Sequence, residues 1–292
     1  MDIKESQSLL AHKIHQYVAS STTPEAHTLE TWTSTINTGD DVEQRYWIIY
    51  VHGGAWWRPM ITASSFALTV KHLMASPRSS HIAGFASLNY RLSAPPPLPQ
   101  FAQFAEPENP ARNVKHPAHL NDVIAGLRYL QQEHSFKENY ILVGHSCGAT
   151  LAFQIPNGVD VEPPSAVIGV EGIYDLGKLR DDHVNVPMYQ YFIESAFGKD
   201  EQEWKDASPV SQRNEKGFSW QRSKVVALAQ SDEDELVNNA QRDAMWEVMK
   251  MNESADRKDI LIWLTGKHDE IWREKNPEPQ LKIAIEEVLS RL

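Results

Sequence analysis

Ser146 stands between two glycines in the run Gly144–His145–Ser146–Cys147–Gly148. Residues of strand character, Tyr140–Ile141–Leu142–Val143, lead into it, and a helix-compatible run, Ala149–Thr150–Leu151–Ala152–Phe153, leaves it. A turn this sharp excludes bulk two residues before and two after the serine, and pushes the hydroxyl out at the end of the strand. The chemistry it suggests is nucleophilic attack on an acyl carbon. The backbone N–H of Cys147, at a helix N-terminus, can then donate to the developing oxyanion. Gly-x-Ser-x-Gly arises often by chance; its weight here comes from lying between a buried-type strand and a helix. The Cys147 side chain itself reads as a packed small group, as unpaired buried cysteines usually are.

A serine hydroxyl needs a histidine base, and the base needs an acid to hold its tautomer. Where a nucleophile elbow carries the serine, the chain order is serine, then acid, then histidine. Only His183 and His268 follow Ser146. His183 lies in a charged, irregular stretch beside Asp181 and Asp182. His268 follows the apolar run Ile260–Leu264 through a short loop and precedes a C-terminal helix pattern, so it is the expected base. The acid should follow the strand ending near Ala229, where Asp232, Glu233, Asp234 and Glu235 stand together. Asp234, just before Glu-Leu-Val, is the expected partner and Asp232 its main rival. A solvated acidic turn capping the next helix is the bland alternative.

The run His52–Gly53–Gly54–Ala55–Trp56 closes the first buried strand. Oxyanion donors must be backbone N–H groups with no side chain in the way, which two glycines and an alanine supply. The expected donors are Gly54, Ala55 and Cys147. His52 precedes the nucleophile and reads as a loop brace. Trp56 and Trp57 leave a glycine turn together and cannot both bury easily; Trp56 is the expected pocket wall.

These residues need strands to carry them. Short β-branched and aromatic runs occur at 45–51, 82–89, 140–143, 166–170, 224–229 and 259–264, with helix patterns near 64–75, 118–133 and 279–292. Strands apolar on both faces and alternating with helices mean a mostly parallel sheet covered on both sides, with chemistry at the strands' carboxyl ends. Proline-rich 93–117 is not a regular element, and 176–220 is aromatic-rich and only loosely periodic.

The chain has 292 residues and a formal net charge of −11. That charge argues against nucleic acid. One cysteine excludes an internal disulfide. No signal-peptide pattern and no membrane-length apolar run is read, so a cytoplasmic location is expected.

His52–Gly53–Gly54–Ala55–Trp56, Asn89–Tyr90–Arg91–Leu92–Ser93, His116–Pro117–Ala118, the 144–149 elbow, Glu171–Gly172–Ile173–Tyr174–Asp175–Leu176, Asp234–Glu235–Leu236 and Gly266–Lys267–His268–Asp269 form a series. With them the chain resembles the kynurenine formamidase family of α/β-hydrolases, in its fungal branch, from about residue 45 to 290. The resemblance implies an α/β fold with a mostly parallel central sheet and helices on both faces. It implies hydrolysis of N-formyl-L-kynurenine to L-kynurenine and formate, with no cofactor and no metal. One domain over 1–292 is expected, with an N-terminal extension at 1–40 and a cap-like insertion at 176–220. An aromatic formamide is the expected small-molecule partner, with a homodimer left open. Tyr189, Tyr191 and Phe192 are candidates to cover its aromatic side. Carboxylesterases related to hormone-sensitive lipase share the glycine loop and triad, and are the first rival. Alanine rather than a third glycine at 55, with tryptophan at 56 and Gly172–Asp175, favours the formamidase. The second rival is a non-catalytic receptor on the same scaffold, since fold alone does not fix function.

Overall fold

The computed structural model describes residues 10–35, 45–211, 217–273 and 278–292. The strands are β1 (Leu10–Gln16), β2 (Thr28–Ser34), β3 (Tyr46–Val51), β4 (Ile82–Leu88), β5 (Tyr140–His145), β6 (Ala166–Val170), β7 (Val225–Ser231) and β8 (Lys258–Leu264). They form one sheet in the order β1-β2-β4-β3-β5-β6-β7-β8. β1 and β2 run antiparallel to their neighbours, and the remaining pairings are parallel.

The central strands are buried along their whole length, and their side chains divide by alternation between two cores. From β3, Trp47, Ile49 and Val51 enter one core, while Tyr46, Ile48 and Tyr50 enter the other. The first core is covered by α2 (Ala118–His134) and α3 (Cys147–Gln154). Leu120, Val123, Ile124, Leu127 and Leu130 make the apolar stripe of α2, at the spacing a helix requires. The second core is covered by α1 (Ala67–Met74) and α8 (Gln280–Leu289), the latter through Leu281, Ala284, Ile285 and Val288. Buried residues of this size are each worth roughly 1.5–3 kcal/mol of transfer free energy, so the central strands are fixed in place before any polar contact is counted.

Two segments depart from expectation. Residues 10–16 and 28–34, read as part of an extension at 1–40, are strands that lengthen the sheet; 1–9 and 36–40 lie outside the described residues. Residues 176–220, read as loosely periodic, carry three α-helices among the described residues: α4 (Leu176–Asp182), α5 (Pro187–Phe197) and α6 (Glu201–Ala207). The buried face of α5 is Tyr189, Phe192, Ile193, Ala196 and Phe197, a helical stripe made largely of aromatics. After β7 comes α7 (Asn239–Met251).

Proline-rich 93–117 forms 3-10 turns at Pro99–Phe104 and Pro110–Arg112. Backbone hydrogen bonds from Ser93 N to Trp56 O (2.8 Å) and from His116 N to Ala196 O (2.7 Å) tie it to the glycine loop and to α5. No helix among the described residues is long and apolar enough to cross a membrane.

Candidate active site

β5 ends at His145, and the chain turns at Ser146 with φ 54° and ψ −122°. A non-glycine residue there is strained, a conformation that persists only where surroundings enforce it. Hydrogen bonds from Ser146 N to Val170 O (2.9 Å) and from Ile173 N to Ser146 O (3.3 Å) hold it. The flanking glycines are required by contact. A Cβ at Gly144 would lie 2.4 Å from Gly148 O, and one at Gly148 would lie 2.2 Å from Val51 O. The elbow is thus pressed against its own helix and against β3.

The glycine loop leaves β3 through a left-handed run, with φ 104° at Gly54, 50° at Ala55 and 62° at Trp56. His52 braces it: Nδ1–H donates to Gly53 O (2.8 Å), and the ring stacks on Tyr90 at 4.5 Å. Tyr90 in turn donates to His52 O (2.9 Å). Burial pushes the His52 pKa down to about 4, so the ring stays neutral. The Trp56 amide donates to Cys147 Sγ (3.4 Å). Burial holds the Cys147 thiol up at about 11, so it is a packed group rather than a nucleophile.

His268 Nδ1 lies 2.9 Å from Asp234 Oδ2, both side chains being almost wholly buried. Asp234 is fixed by its own turn: Oδ1 accepts from Leu236 N and Val237 N (2.9 Å each), and Oδ2 also accepts from Gln230 Nε2 (2.9 Å). Asp232 faces elsewhere and accepts from Asn239 Nδ2 (2.8 Å). Glu233 accepts from Gly266 N (3.2 Å) and Glu235 from His268 N (3.2 Å), so two more carboxylates of the cluster grip the histidine loop by its backbone.

Ser146 and His268 open onto one cavity of about 480 Å³, which Gly54 and Ala55 also line. Its walls are chiefly apolar and aromatic, among them Trp57, Phe101, Ile173, Leu179, Tyr189 and Phe192. The four residues expected in this wall meet it differently. Tyr189 and Phe192 face the cavity; Tyr191 does not line it. Trp56, expected as the wall, is fully buried with its indole against Phe192 (6.2 Å) and edge-on to Phe197 (5.0 Å). Trp57 lines the cavity instead, backed by Phe101 at 4.9 Å and Phe104 at 6.0 Å from the proline-rich segment. His183, set aside as a base, also lines the cavity, stacked on Tyr189 at 3.9 Å. Tyr189 donates to Leu236 O (2.7 Å), joining α5 to the acid loop.

Sequence reasoning did not single out Glu171. It directly follows the all-buried β6, carries φ 47°, and is wholly buried, with Oε2 3.4 Å from His268 Nδ1 and 3.7 Å from His145 Nε2. An acid at the carboxyl end of an apolar central strand was the available signal. Burial first, then the charges of Asp234, Glu235 and Asp269, raise its pKa from 4.5 to about 10, so it is a neutral carboxylic acid near pH 7. The folded state therefore keeps a proton that the unfolded chain releases. This contribution to stability is full below about pH 4.5 and is lost as pH rises toward 10. Glu171→Gln removes that slope. Its melting temperature relative to the unaltered protein should climb between about pH 5 and pH 8, as read by thermal melts across that range.

A strained serine at an elbow, an acid-held histidine on the same cavity and a glycine loop, all at the carboxyl ends of a mostly parallel sheet, define an α/β-hydrolase. No family model matches the chain. It is 41% identical over 254 residues to a kynurenine formamidase-like hydrolase of Fusarium equiseti, covering 84% of each chain. It is 32% identical over 280 residues to a kynurenine formamidase of Aspergillus versicolor, covering 88% of this chain and 94% of that one. Among solved structures, esterase B of Lactobacillus rhamnosis superposes with a TM-score of 0.66 at 15% identity, over 99% of this chain and 92% of that one. The chain belongs to the kynurenine formamidase family.

Proposed function

We propose that the protein hydrolyses N-formyl-L-kynurenine to L-kynurenine and formate, a step of tryptophan catabolism, through a formyl-enzyme on Ser146. The observation that carries this reading is that His268, gripped at Nδ1 by Asp234, shares a mainly apolar cavity, with aromatic rings in its wall, with the strained Ser146, in a chain of the formamidase family. His268 takes the Ser146 proton at Nε2 as Oγ attacks the formyl carbon. The amides of Gly54, Ala55 and Cys147 receive the oxyanion; no backbone carbonyl among the described residues accepts from the Gly54 or Ala55 amide. The tetrahedral adduct collapses, the C–N bond breaks, and the arylamine leaves with the proton from His268. Water then attacks the formyl ester, giving its proton to His268, and formate departs as Ser146 regains a proton.

The leaving group is flat, and Trp57, Tyr189 and Phe192 offer matching faces. Its amino-acid tail is charged at both ends. Arg58 and Asp269, paired at 3.3 Å and both lining the cavity, are its proposed anchors. Helices α4 and α5 act as a cover, supported by Leu179, Tyr189 and Phe192 in the cavity wall. A cytoplasmic place of action belongs to this reading and agrees with a lone buried thiol.

The test is an acyl series on one aromatic amine. Formyl carries only hydrogen, so anything larger is met by steric exclusion. Rates should fall about tenfold or more from formyl to acetyl and again to butyryl, as a methylene in a fitted pocket is worth about 1–3 kcal/mol. Butyryl turned over as fast as formyl would replace this reading with a carboxylesterase.

A further inference from the structure

Two carboxyl groups meet the same nitrogen of His268: Asp234 Oδ2 at 2.9 Å and Glu171 Oε2 at 3.4 Å. Neither Glu171 oxygen has a hydrogen-bond partner of good geometry, although the side chain is wholly buried. Unsatisfied buried carboxyl oxygens are costly and call for a reason. The backbone does not let the side chain escape, since Glu171 N donates to Ala229 O (2.8 Å) with φ in the left-handed region.

We propose that Glu171 is a positioning residue on the Nδ1 edge of His268, sharing the imidazole's orientation with Asp234 and taking over as its acid when Asp234 is lost. In the intact site Glu171 is protonated, because burial and the neighbouring Asp234 charge disfavour its anion. A single negative charge then faces the imidazolium, while the second carboxyl limits the tilt of the ring. The groups around Glu171 are Asp234, Glu235 and Asp269 from the acid and histidine loops, His145 from β5, His268 itself and Tyr50 from β3. The Ser231 backbone opposes part of the upward push. Removing the Asp234 charge removes one of these repulsions, so Glu171 then ionises more readily and supplies the missing anion.

The inference rests on the Ser146–His268 reading but not on the acyl group, so any acyl substrate the enzyme turns over serves. The experiment is kcat/KM against pH for Asp234→Ala, Glu171→Gln and the double variant, with Ser146→Ala as the control for that underlying reading. Glu171→Gln alone should lower kcat a few-fold with KM held. Asp234→Ala should keep a residual activity that rises as pH increases above neutral, as Glu171 gives up its proton. Adding Glu171→Gln should remove the rise and cost a further tenfold or so at about pH 9, a coupling that independent residues do not show. Should the alanine variant not fold, Asp234→Asn, which keeps the oxygen that accepts from Leu236 and Val237, provides a second background; its NH2 group opposes the productive tautomer, so the rise with pH is expected at a lower level of activity and is again removed by Glu171→Gln. A double variant equal to the single Asp234 variant at every pH overturns the proposal. So does a Glu171→Gln cost that is as large with Asp234 present as without it.

Discussion

Ser146→Ala should lower kcat/KM for an aryl formamide by on the order of a thousandfold or more while the protein stays folded. The loss follows from the covalent step: no other group in the proposed mechanism can accept the formyl carbon, and what remains is orientation and the oxyanion donors. The fold should hold because the turn is kept by main-chain bonds. Ser146 N still donates to Val170 O, and Ile173 N still donates to Ser146 O. Ser146 lines the cavity, and the bonds that hold the turn are main-chain ones. Steady-state rates beside a thermal melt check both halves. Retention of most activity would move the chemistry away from the elbow.

Asp234→Asn should come next in size, with a loss of about a thousandfold or more, whereas Asp232→Asn should change rates by no more than about threefold. The two side chains differ by two positions and have opposite surroundings. Asn at 234 can still accept from Leu236 N and Val237 N through its oxygen, so the loop should survive. Its NH2 group would then face His268 Nδ1, favouring the tautomer that cannot take the serine proton at Nε2, and it cannot stabilise the imidazolium. Asp232 is exposed and accepts from Asn239. Equal rates for Asp234→Asn and the unaltered enzyme would reassign the acid. The ratio kcat/KM of the two variants on one substrate is the number to measure.

The central sheet was legible because β3, β5, β6 and β7 are apolar on both faces, and only a sheet covered on both sides uses such runs. β1 and β2 were not. Leu-Ala-His-Lys-Ile-His-Gln and Thr-Leu-Glu-Thr-Trp-Thr-Ser are polar, and β1, at the sheet edge, leaves much of its length open to water. β2 is placed by pairing with β4 and β1 by pairing with β2, which local sequence does not encode. The three helices at 176–207 were hidden because the face of α5 is built from aromatics that score equally well in strands.

In the candidate site, chain order separates His268 from His183, and motif context marks Ser146. Choosing Trp57 over Trp56 required coordinates. Successive residues leaving a left-handed run point in directions that neither residue type reveals, and the indole of Trp56 goes into the core beside Phe192 and Phe197. Glu171 was present in a recognised segment without a role. Its contact with His268 joins the ends of β6 and β8 across the intervening β7, a meeting that spacing along the chain cannot signal.

Active-site titration with a fluorophosphonate tests the central claim most directly: stepwise addition, with N-formyl-L-kynurenine hydrolysis and the labelled residue both followed. The expected result is loss of formamidase activity in proportion to label, reaching zero at one equivalent, all of it on Ser146. Full labelling of Ser146 with formamidase activity intact, or formamidase turnover in a protein that takes no label, would contradict it.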